Sequence, residues 1–190
     1  TYSHNFPVAG ALHAASGRNR DACVAKLAPH GKTLIYSTYL GGSAGTAGLP
    51  EMGNGIAVDA LGSAYIAGVT SSTNFPTTAG AFQTANAGGN TDGFVARLNP
   101  AGNGLVYSTY PGGTSVDSAH AIAFDLAANA YVAGQTASVD FPTRRPVQPG
   151  HHGSSHPFLT KLTGSVTGLI HSQYHGDGGS APPPGVPVAH

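Results

Sequence analysis

The same short motifs occur two or three times along these 190 residues, in the same order, and that repetition restricts the chain to an array of similar units lying one against the next. Asn5-Phe6-Pro7 comes back as Asn74-Phe75-Pro76 and as Asp140-Phe141-Pro142. Ala22-Cys23-Val24-Ala25-Lys26-Leu27 aligns with Gly93-Phe94-Val95-Ala96-Arg97-Leu98 and with Pro157-Phe158-Leu159-Thr160-Lys161-Leu162. Leu34-Ile35-Tyr36-Ser37-Thr38-Tyr39 aligns with Leu105-Val106-Tyr107-Ser108-Thr109-Tyr110 and, more loosely, with Leu169-Ile170-His171-Ser172-Gln173-Tyr174. Gly55-Ile56-Ala57-Val58-Asp59 matches Ala121-Ile122-Ala123-Phe124-Asp125, and Ala64-Tyr65-Ile66-Ala67-Gly68 matches Ala130-Tyr131-Val132-Ala133-Gly134.

Each matched piece is short, rich in Val, Ile, Tyr and Phe, and bounded by Gly, Asn, Asp or Pro, which is the pattern of a β-strand. No segment sustains a helical period. The pieces pair into hairpins: Ile56–Asp59 turns through Ala60-Leu61-Gly62-Ser63 into Tyr65–Gly68, and Val95–Leu98 turns through residues 99–103 into Leu105–Tyr110. One period therefore holds four short strands in two hairpins, joined by a longer loop around the Phe-Pro motif, which is the content of one propeller blade. The predicted fold is all-β: β-propeller-type blades of four antiparallel strands, two full blades with partial blades at both ends. Residues 1–54 form a partial blade, 55–120 and 121–181 are blades, and 182–190 start a further inner strand. Along Leu34–Leu40 neither face is plainly polar, so both faces are expected to be covered by neighbouring sheets. The strands with small residues between larger ones, Ile56-Ala57-Val58 and Ile122-Ala123-Phe124, are placed innermost.

The run Phe94–Gly102 followed by Leu105–Tyr110 resembles the bacterial β-propeller repeat known as SBBP, and Gly55–Asp59, Gly62–Tyr65 and Asn74–Gln83 resemble the other half of that repeat. The resemblance spans nearly the whole chain. It implies a secreted or cell-surface bacterial protein, in a family mostly without a known reaction. The third copy departs from the pattern at Pro157, Thr160 and His171.

Composition narrows the function classes. Formal net charge is 0 and charged residues are only 8% of the chain, so no long-range field attracts nucleic acid or an anionic membrane surface. The longest apolar runs are far too short to cross a bilayer as a helix. Cys23 is the one cysteine, which excludes an internal disulfide and a thiolate metal site within the chain. Starting at Thr1 without a signal peptide, the chain reads as a processed product or an excerpt of something longer.

Candidate chemistry is sparse. Six of the ten histidines lie in the last forty residues, and His151, His152 and His156 share one predicted loop, where close neutral imidazoles could bind Zn²⁺, Cu²⁺ or Ni²⁺; they are the metal candidates, without the spacing of a known zinc site. Asp59 and Asp125 occupy equivalent hairpin turns, where a carboxylate accepts backbone N–H bonds, and are read as turn residues rather than Ca²⁺ ligands. Asp21 and Asp92 read as the residues before a strand. Cys23, aligned with Phe94 and Phe158, reads as a core filler. No G-x-S-x-G elbow occurs, and eight acids of which Glu51 alone is glutamate offer little for glycoside hydrolysis; no catalytic residue and no cofactor are assigned. The recurring tyrosines read as packing. Residues 43–54, longer than the counterpart at 114–120, are the best place for a variable binding loop.

The function expected is that of a non-enzymatic secreted or cell-surface repeat protein, a scaffold, adhesin or filament subunit. The alternatives are a carbohydrate- or peptide-binding propeller module and a propeller hydrolase or lyase. An open stack of blades exposes strand edges that soluble proteins cover or charge, and this chain has little charge to place there. Its expected partners are therefore flanking blades of a longer chain or other copies of itself, with a glycan as a further ligand class.

Overall fold

Ten β-strands and no helix make up the regular structure of the described residues. The structure, a computed structural model, describes residues 1, 3–17, 20–45, 48–49, 51–148, 150 and 154–176. The strands are β1 (Ala22–Leu27), β2 (Leu34–Leu40), β3 (Met52–Val58), β4 (Ala64–Thr70), β5 (Asp92–Leu98), β6 (Leu105–Thr109), β7 (Asp117–Phe124), β8 (Ala130–Thr136), β9 (His156–Leu162) and β10 (Leu169–Tyr174). They form a two-stranded sheet β1-β2 and two four-stranded sheets in the orders β3-β4-β5-β6 and β7-β8-β9-β10, every pairing antiparallel. We call these the half blade, the middle blade and the third blade.

The copies agree down to their irregularities. The inner hairpin of the middle blade has a bulge between Gly53 and Gly55, and that of the third blade has one at the equivalent place, between Ala119 and Ala121. In the half blade and the middle blade the outer hairpin shifts register at matching positions, Lys26/Leu27 and Arg97/Leu98. A bulge adds one residue and sharpens the twist, so recurrence at one register position means that the same curvature is built into each unit. The innermost strands start earlier than the Gly55 and Ala121 motifs suggest, at Met52 and Asp117. Residues 52–54 and 117–120 are thus strand rather than loop, and the extra length of the first copy falls within residues 43–50.

Period two then divides the core. In β4, Ala64 and Ile66 point into one apolar cluster, with Ala22, Val24, Tyr36 and Leu40 of the half blade, while Tyr65 and Ala67 point into the other, with Ala119, Ala130, Val132 and Phe158 of the third blade. β5 does the same, Phe94, Ala96 and Leu98 to one side and Val95 to the other. A strand sandwiched between two neighbours must be apolar on both faces, and β4 is buried at every residue. β8 alternates buried and exposed instead, because among the described residues nothing packs on the far side of the third blade. The expectation of two covered faces therefore holds for β2 from Tyr36 onward and for β4, and fails in the last blade.

Each Phe-Pro loop is pinned by a tyrosine from the outer strand of its unit. The Phe75 N–H donates to Tyr110 Oη at 2.8 Å and that hydroxyl donates to Ser72 O at 2.8 Å. Tyr39 repeats this with Phe6 N at 3.0 Å and Ser3 O at 2.7 Å, and Tyr174 donates to Ser138 O at 2.9 Å. A buried phenol needs a partner for its hydroxyl, and here the partner is the backbone of the loop it holds down. The Phe rings complete the arrangement: Phe75 stacks on Phe94 and Phe141 lies on Phe158, both at 4.5 Å between centroids.

Candidate functional site

The repeat also places polar side chains together at the seams between units. Asp21 and Asp92 are equivalent residues before or at the third strand; Glu51 and Asp117 are equivalent at the first; Thr70 and Thr136 end the second; Ser72 and Ser138, then Asn74 and Asp140, follow it. Gly41-Gly42-Ser43 and Gly112-Gly113-Thr114 follow the fourth strand of the preceding unit. At the first seam, Thr70 Oγ1 donates to Glu51 Oε1 at 2.5 Å, Gly42 N–H donates to both Glu51 oxygens at 3.0 and 3.1 Å, and Gly17 N–H donates to Asp21 Oδ2 at 2.6 Å. At the second seam, Gly113 N–H and Ser138 Oγ donate to Asp117 Oδ2 at 2.7 and 2.8 Å, and Ala87 N–H donates to Asp92 Oδ2 at 2.9 Å. Asn74 Oδ1 and Asp140 Oδ1 accept from the backbone of residues 43–44 and of Thr114 respectively, stitching one unit's outer turn to the next unit's Phe-Pro loop.

Burial decides the electrostatics. Asp92 and Asp117 are both 0% exposed. Withdrawal from water pushes the Asp92 carboxyl up to about 7 and raises Asp117 and Glu51 above the usual carboxylate range, against the hydrogen bonds that favour their ionised forms. Asp140, held by the Thr114 N–H, is lowered instead.

The turn aspartates sit at the other end of the inner hairpins. Asp59 Oδ1 accepts from the Leu61 and Ser63 N–H groups at 3.0 and 2.9 Å, and Arg97 Nη2 reaches Oδ2 at 2.7 Å. Asp125 Oδ1 accepts from Ala127 and Asn129 N–H at 3.0 and 2.9 Å, with Lys161 Nζ at 3.1 Å from Oδ2. The tight turn requires a positive φ, which Gly62 supplies at 88° and Ala128, its equivalent, at 61°. The Arg97 guanidinium also lies over the Tyr65 ring, 4.8 Å from the centroid.

Two readings of single residues are corrected. Cys23 is not a core filler: it is exposed, because among the described residues β1 pairs with β2 alone and no unit packs on the face that carries Cys23, whereas the equivalent Phe94 and Phe158 face the preceding unit and lie under Phe75 and Phe141. His156 is not in a loop: it opens β9, is 2% exposed at the position Asp92 holds one unit earlier, and meets Tyr174 edge-on at 6.1 Å. His151 and His152 lie outside the described residues, as do residues 182–190. Among the described residues no group of three or more His, Cys, Asp or Glu is placed to hold a metal ion. Tyr36, Tyr39, Tyr107, Tyr110 and Tyr174 are all buried in packing.

The seam carboxylates were the feature that single-residue reading missed. Their signal is in the alignment, where Asp21 recurs as Asp92 and Glu51 as Asp117, but it is visible only when the acids are taken in pairs from neighbouring units. Comparison with known families is consistent with this unit: the family model described as SBBP, beta-propeller repeat, matches residues 35–76 and 106–142. Each match runs from the outer strand of one unit across a seam to the Phe-Pro motif of the next. No curated protein matches the chain.

Proposed function

We propose that this chain, a carrier of tandem SBBP β-propeller repeats, is a non-enzymatic secreted or cell-surface scaffold that joins further blades through its open β1 edge. The observation that carries this reading is the bare side of the β1-β2 hairpin among the described residues. The outer hairpins β5-β6 and β9-β10 are each paired with an inner hairpin, β3-β4 or β7-β8, and among the described residues β1-β2 is not. Cys23 and Ala25 are exposed on β1, while their equivalents in the covered hairpins, Phe94 with Phe158 and Ala96 with Thr160, are buried. A groove of about 140 Å³ lined by Cys23, Val24, Gly53, Asn54, Gly55, Ile56 and Ile66 runs along this side. The occupant that fits is an inner hairpin of the same repeat, from a further copy, since a free strand edge beside an apolar groove is a template for antiparallel pairing.

Ala25→Lys is the discriminating variant. An exposed lysine leaves the isolated half blade undisturbed, but a further blade docked on β1 would bury it as the half blade buries Ala96. Sedimentation at tens of micromolar is expected to show species larger than the monomer for the natural chain and a monomer for Ala25→Lys. A natural chain that stays monomeric there contradicts the proposal.

A further inference from the structure

We infer that copies of this chain join head to tail, the bare face of one copy's third blade lying on the bare face of the next copy's half blade. This rests on the reading of the chain as an associating scaffold, and names the surface that meets the half blade. Each unit has one face toward the unit before it and one toward the unit after it, and successive residues of a strand alternate between the two. Equivalent positions therefore show each face with and without its neighbour. Val24, Val95 and Leu159 are equivalent on the face toward the following unit; the first two are 5% and 0% exposed, while Leu159, which no unit follows among the described residues, is 38% exposed. Leu27, Leu98 and Leu162 are equivalent on the face toward the preceding unit, and there the order is reversed: Leu27 is 55% exposed and the other two are fully buried.

Both seams inside the chain join unlike faces through their outer hairpins. At the first, Val24 and Tyr36 share an apolar cluster with Phe94, Ala96 and Leu98; at the second, Val95 and Tyr107 share one with Phe158, Leu162 and Val166. The described residues leave one face of each kind bare, with Tyr131, Ala133 and Leu159 exposed on the third blade and Cys23, Ala25 and Leu27 on the half blade. Each is the repeat of a surface that is core elsewhere in the same molecule, so the bare third blade has toward a second copy's half blade the relation that the middle blade has toward the third. The charge on the third blade's face is no obstacle: Lys161 is paired with Asp125 at 3.1 Å, repeating the Arg97–Asp59 pair at 2.7 Å beside the filled seam. A two-fold dimer would instead set like on like, Leu159 against Leu159 or Leu27 against Leu27, a pairing that neither seam contains. Contact between unlike faces is heterologous and passes from copy to copy.

Complementation between two defective copies tests the direction of the contact. Leu159→Lys spoils the third blade's face and Ala25→Lys the half blade's, since an ammonium group closed into an apolar seam has no counter-charge there. His171→Lys, at the position that Tyr107 holds in the middle blade, serves as a second variant of the third blade's face, and thermal melting beside the natural chain shows that each variant is folded. In sedimentation under the conditions where the natural chain associates, each variant alone is expected to be a monomer. An equimolar mixture of Leu159→Lys and Ala25→Lys retains one intact junction per pair, so it is expected to give a species of twice the monomer mass and nothing larger. A mixture that stays monomeric while the natural chain associates overturns the head-to-tail contact, as does association of Leu159→Lys and His171→Lys undiminished from that of the natural chain. Either result leaves the scaffold reading standing, whereas a natural chain that is itself monomeric overturns that reading and this inference together.

Discussion

Replacing Phe94 by alanine is expected to cost about 3–5 kcal/mol of folding stability, a large part of the roughly 5–15 kcal/mol that a domain possesses. The ring is 0% exposed and stacked on Phe75 at 4.5 Å, so it joins a strand of the middle blade to the loop that arrives from the inner hairpin. Truncation leaves a void closed by the sheet on one side and by a tyrosine-pinned loop on the other, and neither can collapse inward: the Phe75 N–H is already committed to Tyr110. Urea denaturation measures the loss. Phe158→Ala, in the equivalent environment beside Phe141, is expected to match it, whereas Cys23→Ala, exposed at the same position in the half blade, is expected to change stability by less than about 0.5 kcal/mol. A Phe94→Ala loss below about 1 kcal/mol would mean that the units are not packed as described.

The second large effect is at Gly68, where alanine is expected to cost about 1–3 kcal/mol or more despite adding a single methyl group. Its Cβ would stand 2.5 and 2.6 Å from two ring atoms of Phe94 and would collide with the Met52 carbonyl oxygen. The oxygen belongs to the backbone of the neighbouring strand and cannot turn away, and the ring is held by Phe75. Gly134 is caught in the same way between the Ser118 carbonyl oxygen and Phe158. Because half of the clash is with a ring, Phe94→Leu should be less harmful in the Gly68→Ala background than alone, a coupling that a double-mutant cycle reads directly. Strict additivity, or a Gly68→Ala protein as stable as the natural one, would contradict the close approach of β3, β4 and β5.

Much of this architecture can be read in the sequence because repetition substitutes for periodicity. Isolated runs such as Ala64–Gly68 or Leu105–Thr109 are too short to distinguish a strand from a buried helical turn by pattern alone. Two or three aligned copies with Gly, Asn and Asp at their ends resolve the ambiguity, and the terminal glycine of the Ala-Tyr-Ile-Ala-Gly motif even marks the spot that a phenylalanine ring must cover. What alignment could not convey is position within the stack. Cys23 and Phe94 are equivalent in sequence but differ in burial, because exposure depends on the neighbouring unit and not on the residue. The seams were hidden for a related reason: Asp92 and Asp117 stand 25 residues apart along the chain, each ordinary at a strand end, and come up to the same glycine, Gly112, only when two units dock. His156 was obscured by its histidine-rich neighbourhood, although its alignment with Asp92 already placed it at a strand start.

The account rests on β1 being an edge that another inner hairpin completes, and the reactivity of Cys23 with a maleimide reports on that edge directly. Labelling is expected to be fast at high dilution, where β1 is open, and to slow progressively as protein concentration rises and the thiol takes the covered place that Phe94 has in the middle blade. Fast labelling at every concentration, in a protein whose melting and secondary structure are unchanged, would show that the edge stays bare and would contradict the account.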